Sequence, residues 1–401
     1  MLPSPNHLSN PAGKRWFSYQ QTSDNLISAY QGEEPFSSFL KKYFAAHKKH
    51  GSTDRKNIAS LCYAYFRTRS ALDHFSPEQR WQLVIFLAGL PSAAPFFLPA
   101  AWQNHFHEPI HAKLLLLKEW MPSFQPQLIF PLREHLSAGI DSYSFAISHL
   151  IQPNLFLRIR PGHRASVENK LQAAGIAFQQ LGGDAIAVAN HTPVNQLLEL
   201  DREVVVQDLS SQYIGNFFQF IQWKGDGPRL VWDCCAASGG KSLLVLDRIK
   251  NVALTVSDIR PSVLANLNKR LMKAGWKKYS KLEVDLTGAI PRLPQQQLII
   301  CDAPCSGSGT WGRTPEYIRF FTEDRIRFFT ERQRAILTHI YPLLRESGYL
   351  LYITCSVFRE ENEEMVAWLL GETKLELVSQ QIFPGYEWQA DTMFGALLRK
   401  V

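Results

Sequence analysis

From Arg229 to the C-terminus, short apolar runs alternate with helical stretches. Leu230-Val-Trp232, Ala253-Leu-Thr-Val256, Leu298-Ile-Ile300 and Tyr349-Leu-Leu-Tyr-Ile353 are the apolar runs. Each is too short for a buried helix and too rich in branched side chains for a turn. Strands separated by helix-length segments cannot be joined as hairpins; they pair in parallel, with the helices as crossovers. The pattern therefore predicts a doubly wound α/β sheet, a Rossmann-like fold with helices on both faces. Ligands of such sheets bind beyond the carboxyl ends of the strands, so the turns that follow these runs are where chemistry is expected.

The turn after the first run is Asp233-Cys-Cys-Ala-Ala-Ser-Gly-Gly-Lys-Ser242, directly before the helical stretch Leu243–Ile249. Small residues let the backbone turn tightly and approach a ligand, and the helix start offers free N–H groups. Gly240-Lys241-Ser242 ends like a phosphate-binding loop. That motif needs another glycine five residues before Gly240, where this chain has Cys235. The glycine spacing of a dinucleotide fingerprint is also missing. A nucleoside-type ligand remains, and it calls for an acidic residue at the end of the second strand to hold ribose hydroxyls. Asp258 stands there, and Asp285, in Val284-Asp-Leu286, ends a further candidate strand. Either alone reads equally as a strand-end cap.

Two thiols complete the set. Cys301-Asp302-Ala-Pro-Cys305-Ser-Gly-Ser-Gly309 follows the third run, and Thr354-Cys355-Ser356 follows the fourth. A thiol at a strand end is a candidate nucleophile, or else a small buried hydrophobe. Metal ligation is not expected: Cys234, Cys235, Cys301 and Cys305 form no paired C-x-x-C set and have no histidine near them in sequence. His107-Glu-Pro-Ile-His111 fits a zinc-protease motif by letter, but Pro109 breaks the helical turn that motif needs.

The N-terminal part reads differently. From Glu34 to about Trp120 the apolar residues recur at helical spacing, as in Phe36, Phe39, Leu40, Tyr43 and Phe44. Ser52-Thr53-Asp54 reads as an N-cap cluster, and Ser76-Pro77-Glu78 as a second helix start. Pro122, Pro126 and Pro131 mark a boundary. A small mixed segment follows. Leu155–Arg160 has the period of a strand, Val167–Ala174 is helical and Ala185–Val188 is a second strand. Arg158 and Arg160 share one face of the first strand and are expected to meet phosphates. The 43 Lys and Arg against 36 Asp and Glu leave a net charge of +7, which fits a polyanionic partner. The chain's six cysteines form no disulfide framework, and no run of eighteen apolar residues occurs. A reduced, cytoplasmic protein with no membrane partner is expected, with a monomer as the default.

Together, the glycine loop at Asp233–Ser242, Asp302-Ala-Pro-Cys-Ser-Gly and Thr354-Cys-Ser resemble the Fmu/Sun-type RNA 5-methylcytosine methyltransferases. Val206-Gln-Asp-Leu-Ser-Ser-Gln212, Thr314-Pro-Glu316, Glu360-Glu-Asn-Glu363 and Ala396-Leu-Leu-Arg-Lys400 extend the likeness over about residues 150–401. Gly51–Ala59 is similar to the NusB-like domain that begins one branch of that family. The resemblance implies a helical NusB-like RNA-binding domain at 1–125, a linker and small α+β RNA-binding subdomain at 126–205, and a Rossmann-like catalytic domain at 206–401.

It also implies S-adenosyl-L-methionine as methyl donor and cytosine in RNA as target. Ribosomal RNA of the small subunit is the expected substrate, with transfer RNA as the alternative and a non-catalytic RNA-binding factor as the rival of another class. Carried over residue by residue, Cys235, Ala236, Ala237, Ser238, Gly239, Gly240 and Lys241 wrap the donor's methionine end. Asp258 holds its ribose, Asp285 its adenine, and Asp302 faces donor and base. Cys355 adds to cytosine carbon 6, Asp302 supports ring nitrogen 3, and Cys305 assists release. In a DNA cytosine methyltransferase Cys305 would instead be the nucleophile. The chain departs from the family pattern in three places: Ser238 stands for a proline, Arg160 for an asparagine, and Asp391-Thr-Met-Phe394 for Asp-Gly-Phe-Phe.

Overall fold

A computed structural model describes residues 10–68, 71–288 and 292–401. The chain separates into two compact units. One takes the described residues up to Arg133 with Asp141–Gln152 and Trp311–Thr322; the other takes Glu134–Ile140, Pro153–Thr310 and Glu323–Val401. This division cuts across the boundaries at 125 and 205 drawn from the sequence. The small mixed segment shares a unit with the large sheet, and a short piece of the C-terminal region belongs with the helices.

The first unit is helical. Helices α1 (Pro11–Ala29), α2 (Phe36–Ala46), α3 (Ser52–Thr68), α4 (Pro77–Ala88), α5 (Ile110–Trp120) and α6 (Ser142–Ser148) are its main elements. Helix α1 lies outside the sequence expectation, because its apolar positions are sparse. Asn10 caps it through the Ala12 N–H, and Pro11 occupies its first turn. Ser76 caps α4 in a reciprocal box with Gln79. The Ser52 region differs from expectation, since α3 already begins at Ser52 and Asp54 lies inside its first turn. The Asp54 carboxylate accepts from the Gly51 N–H at 2.8 Å and from Tyr19 and Arg15 of α1. Pro109 sits directly before α5, so His107 and His111 share no helical turn. The buried Arg67 guanidinium donates to the carbonyls of His149 and Gly312, both at 2.8 Å, and thereby ties three distant chain segments together. Burial pushes its pKa down to about 10.

The second unit holds two sheets. Seven strands form the larger one: β5 (Arg229–Asp233), β6 (Val252–Asp258), β7 (Ser280–Glu283), β8 (Gln296–Asp302), β9 (Leu344–Thr354), β10 (Leu375–Phe383) and β11 (Met393–Lys400). Their order is β10-β11-β9-β8-β5-β6-β7. Strands β5 to β9 run parallel, and β11 enters antiparallel between β9 and β10. The last two strands escaped the sequence reading. Edge strand β10 is mostly exposed along its length, so its sequence lacks an apolar run. The central strands bury nearly everything. Leu298, Ile300, Leu351 and Ile353 are all at most 1% exposed, and burial of each such side chain contributes roughly 1.5–3 kcal/mol. The strand order reverses between β5 and β8, which opens a crevice at their carboxyl ends.

The smaller sheet, in order β2-β3-β1-β4, is built from β1 (Leu155–Ile159), β2 (Phe178–Gln180), β3 (Ala185–Val188) and β4 (Val204–Val206), with α7 (Arg164–Ala173), and the short α8 (Leu209–Tyr213) follows β4. Here the structure differs from the expectation of exposed arginines. Arg158 and Arg160 do share a face, but that face is turned inward. The Arg158 side chain is 1% exposed and Arg160 10%, and both close on Asp247, at 2.6 and 2.8 Å. Arg158 also donates to Gln207, and Arg160 to the carbonyls of Asp201 and Ala274. Buried and paired with Asp247, these arginines do not face a phosphate, and Arg158 keeps its second terminal nitrogen buried without a partner. They fasten the small sheet to α9 (Gly240–Arg248), the helix that carries the glycine loop.

Candidate active site

The turn from β5 into α9 is shaped by its own sequence. Asp233 is fully buried, and its carboxylate accepts the Ser242 hydroxyl at 2.6 Å, pinning the strand end to the helix start. Burial pushes that carboxyl up to about 7. Ala237 and Gly239 take positive φ, at 45° and 85°. At Gly239 a Cβ would stand 3.0 Å from Leu267, so both the turn and the packing favour glycine. Ser238, the residue in place of proline, is gripped at its carbonyl and hydroxyl by Arg270 from α10 (Pro261–Lys273), at 2.8 and 3.1 Å. A side-chain clamp thus does what a ring would do.

A cleft of about 580 Å³ opens over this turn. Among the residues expected to meet a donor, Cys235, Ala237, Asp258, Asp285 and Asp302 line it, as do both thiols, Cys305 and Cys355. Ala236, Ser238, Gly239, Gly240 and Lys241 do not line it; they form the turn behind it. Lys241 is 7% exposed, and its ammonium reaches Asp302 at 3.0 Å and Ser211 at 2.8 Å. Its influence on the cleft passes through Asp302. Asp258 ends β6 and accepts the Ala237 N–H at 3.1 Å and the Arg260 N–H at 2.9 Å. Asp285 lies just past β7 and is held by the Thr287 N–H and hydroxyl, which lower its pKa.

The reactive end is a pair of sulfurs. Cys305 Sγ and Cys355 Sγ lie 3.4 Å apart, although fifty residues separate them in sequence. The parallel pairing of β8 with β9 brings Asp302 level with Ile353, so the loops after the two strands meet. The Cys305 thiol is pushed well above its ordinary pKa, first by the hydrogen bond with Cys355, then by burial and by the nearby Glu361. It therefore holds its proton more tightly than a free thiol. Gly309 closes the arrangement: its N–H donates to the Cys355 carbonyl at 2.9 Å, and a Cβ there would lie 2.0 Å from the Thr392 carbonyl oxygen.

Glu361 is the largest omission of the sequence reading. It is fully buried, and its carboxylate accepts the Ser306 N–H at 2.9 Å, the Ser356 hydroxyl at 2.6 Å and the Gln333 amide at 3.0 Å. Ser306 follows Cys305 and Ser356 follows Cys355, so one carboxylate holds both thiol loops. Burial raises its pKa. The sequence places Glu361 within Glu360–Glu363 but contains no sign that it turns inward. Arg332 and Ile336 on α11 (Asp324–Ile340) also line the cleft, a helical pair with no signature in sequence.

The three cysteines for which the spacing argument excluded a metal come together as well: the sulfurs of Cys234, Cys235 and Cys301 all lie within 4.8 Å of one another.

A sheet of this strand order, with a glycine loop and carboxylates over its switch point, defines a Rossmann-like methyltransferase domain. Residues 224–394 match the family described as 16S rRNA methyltransferase RsmB/F. Over 239 residues the chain is 29% identical to the probable ribosomal RNA small subunit methyltransferase B of Bacillus subtilis, covering 56% of this chain and 52% of that protein. Against ribosomal RNA small subunit methyltransferase B of Xanthomonas campestris it is 28% identical over 398 residues, covering 86% and 89%. The chain spans 52 to 60% of the length of the first curated relatives it matches. The crystal structure of PH0851 shares the fold with a TM-score of 0.68 at 18% identity, over 92% of this chain and 95% of that one. A methyltransferase homolog from Pyrococcus horikoshii shares it at 0.56 and 19%, over 72% and 98%. Among the described residues no helix is long and apolar enough to cross a membrane.

Proposed function

We propose that this chain is an S-adenosylmethionine-dependent RNA (cytosine-5-)-methyltransferase acting on small-subunit ribosomal RNA through a covalent bond between Cys355 and cytosine carbon 6. The observation that carries this reading is the thiol pair, 3.4 Å apart, on the wall of a cleft floored by the glycine loop. The residues fit such a donor. Asp258 at the end of β6 is the carboxylate for a ribose, Asp285 is the acceptor for an adenine amino group, and Cys235 and Ala237 border the methionine end. When bound, S-adenosylmethionine supplies an electrophilic methyl group.

The chain's own groups do the rest. Carbon 5 of cytosine is a weak nucleophile until a sulfur adds to carbon 6. The Cys355 thiolate makes that bond, and the displaced electron pair runs toward ring nitrogen 3, where Asp302 stabilises it by donating the proton of its carboxyl. Lys241 holds Asp302 in place. After carbon 5 gains its methyl group it gives up its proton to water, the freed electron pair restores the ring double bond, and the carbon–sulfur bond breaks to return the Cys355 thiolate. Cys305, which keeps its proton, hydrogen-bonds the departing Cys355 sulfur. On this reading the protein works in the cytoplasm with RNA as partner, as a monomer by default. The helical unit and the small sheet are the parts offered to RNA. Because Arg158 and Arg160 are buried, phosphate contacts fall to other basic residues.

The test is transfer of labelled methyl groups to unmodified ribosomal and transfer RNA by wild type, Cys355→Ala and Cys305→Ala, with denaturing gels for protein–RNA adducts. Transfer to small-subunit RNA, lost in Cys355→Ala and replaced by a trapped adduct in Cys305→Ala, is expected. Loss of the adduct in Cys305→Ala with its survival in Cys355→Ala would reverse the two roles. Transfer confined to transfer RNA would replace the substrate.

A further inference from the structure

We infer that Cys234, Cys235 and Cys301 form a binding site for one thiophilic d10 cation, of the zinc or monovalent copper class, on the floor of the cleft. The three sulfurs lie within 4.8 Å of one another. A tetrahedral ion with zinc–sulfur bonds of about 2.3 Å holds its sulfurs roughly 3.8 Å apart, so the trio needs about an ångström of closure at most. No sequence spacing foretells it. Cys234 directly follows β5 and Cys301 lies within β8; these strands are parallel neighbours, and the Cys234 N–H donates to the Ile300 carbonyl at 2.9 Å. The ligands thus sit on or beside rigid strands, two of them almost fully buried.

The donor set and the access route agree. Soft thiolates select zinc and monovalent copper over magnesium or calcium. Three protein ligands with one open position make a site that can take up and release its ion, and here the open side is the cleft, which Cys234 and Cys235 line. Each thiol that binds gives its proton to solvent. Three thiolates on a divalent ion carry one net negative charge, and Arg260 and Arg332 line the same cleft. An ion at this position occupies the floor where Cys235 meets the methionine end of the donor. Cation and donor therefore exclude each other, a consequence that rests on the function proposed above.

The experiment uses the full-length chain with Cys305→Ala and Cys355→Ala, which removes the other cleft thiols. Cadmium is titrated by its ultraviolet sulfur-to-metal charge-transfer band, with equilibrium dialysis for stoichiometry. One ion per chain is expected. Adding Cys234→Ala or Cys301→Val, each checked for folding by circular dichroism, weakens binding at least about tenfold, since even groups that only support metal ligands cost ten- to a hundredfold. The absence of one-to-one binding, or binding unchanged by both substitutions, overturns the site. S-adenosylhomocysteine, with its own binding followed by calorimetry, is expected to weaken cadmium binding. If it binds and cadmium is unaffected, the position on the cleft floor is wrong. If it does not bind at all, the donor reading fails while the cadmium band still reports on the thiols.

Discussion

Removing the Asp247 carboxylate separates a structural role for the two strand arginines from a role in RNA contact. Asp247 is 4% exposed and pairs with Arg158 and Arg160 at once. In Asp247→Ala, Arg160 keeps the carbonyls of Asp201 and Ala274, but Arg158 keeps only Gln207 and is left as a buried charge. Burial already lowers the Arg158 pKa with Asp247 opposing that shift, so the loss falls on a group that has no route to solvent. Breaking a buried pair from one side costs about 3–5 kcal/mol. Urea unfolding should show this as a lower midpoint at unchanged slope. RNA affinity, measured below the unfolding range, should hold, and so should its dependence on salt. Replacing the whole trio by Met, Met and Leu should restore most of the stability, because the desolvation cost disappears with the charges. A stability loss under about 1 kcal/mol would refute this reasoning. So would an Arg158→Met variant of normal stability whose RNA binding loses about one unit of salt slope.

Two further outcomes follow from buried groups. Glu361→Ala leaves the Ser306 N–H and the Gln333 amide without their acceptor, and should cost about 2–6 kcal/mol in thermal or urea unfolding. Glu361→Gln keeps the volume and one acceptor oxygen. It should remain folded yet turn over at least about tenfold more slowly with the KM for donor unchanged, because the thiol loops lose their common anchor; normal turnover would remove Glu361 from the positioning of the thiols. In the helical unit, burial pushes His149 down to about 4 from its ordinary 6.5. The folded unit then binds fewer protons than the unfolded chain between those values. Its stability is complete above pH 6.5 and falls as pH drops toward 4, by about 3 kcal/mol at most. His149→Gln should flatten the pH dependence of the urea midpoint over that window, and an unchanged profile would place the acid sensitivity elsewhere.

Much of the second unit was legible along the chain because it is local. Apolar runs such as Leu298–Ile300 become strands when no other element can bury them, and the small residues of Asp233–Ser242 turn because few others fit there. The candidate nucleophile and the carboxylates proposed for the donor could be picked out for the same reason, since each ends or follows its own strand. Strand β10 was not legible, because an edge strand needs no apolar run of its own; β11 is apolar from Met393 to Leu398, but its antiparallel place between β9 and β10 is set by the whole sheet. Nor was Glu361, which reads as one acid among four polar residues.

Sequence alone thus determined the element types, the glycine turn and the set of reactive side chains, all properties of neighbours within a few residues. Tertiary structure decided which of those side chains meet. The alternation in Leu155–Arg160 put Arg158 and Arg160 on one face, but only the docking of the small sheet against α9 turned that face inward. Cys305 meets Cys355, and Cys234 meets Cys301, because β9 and β5 flank β8. That order is set by how seven strands share two layers of helices and not by any spacing in the chain.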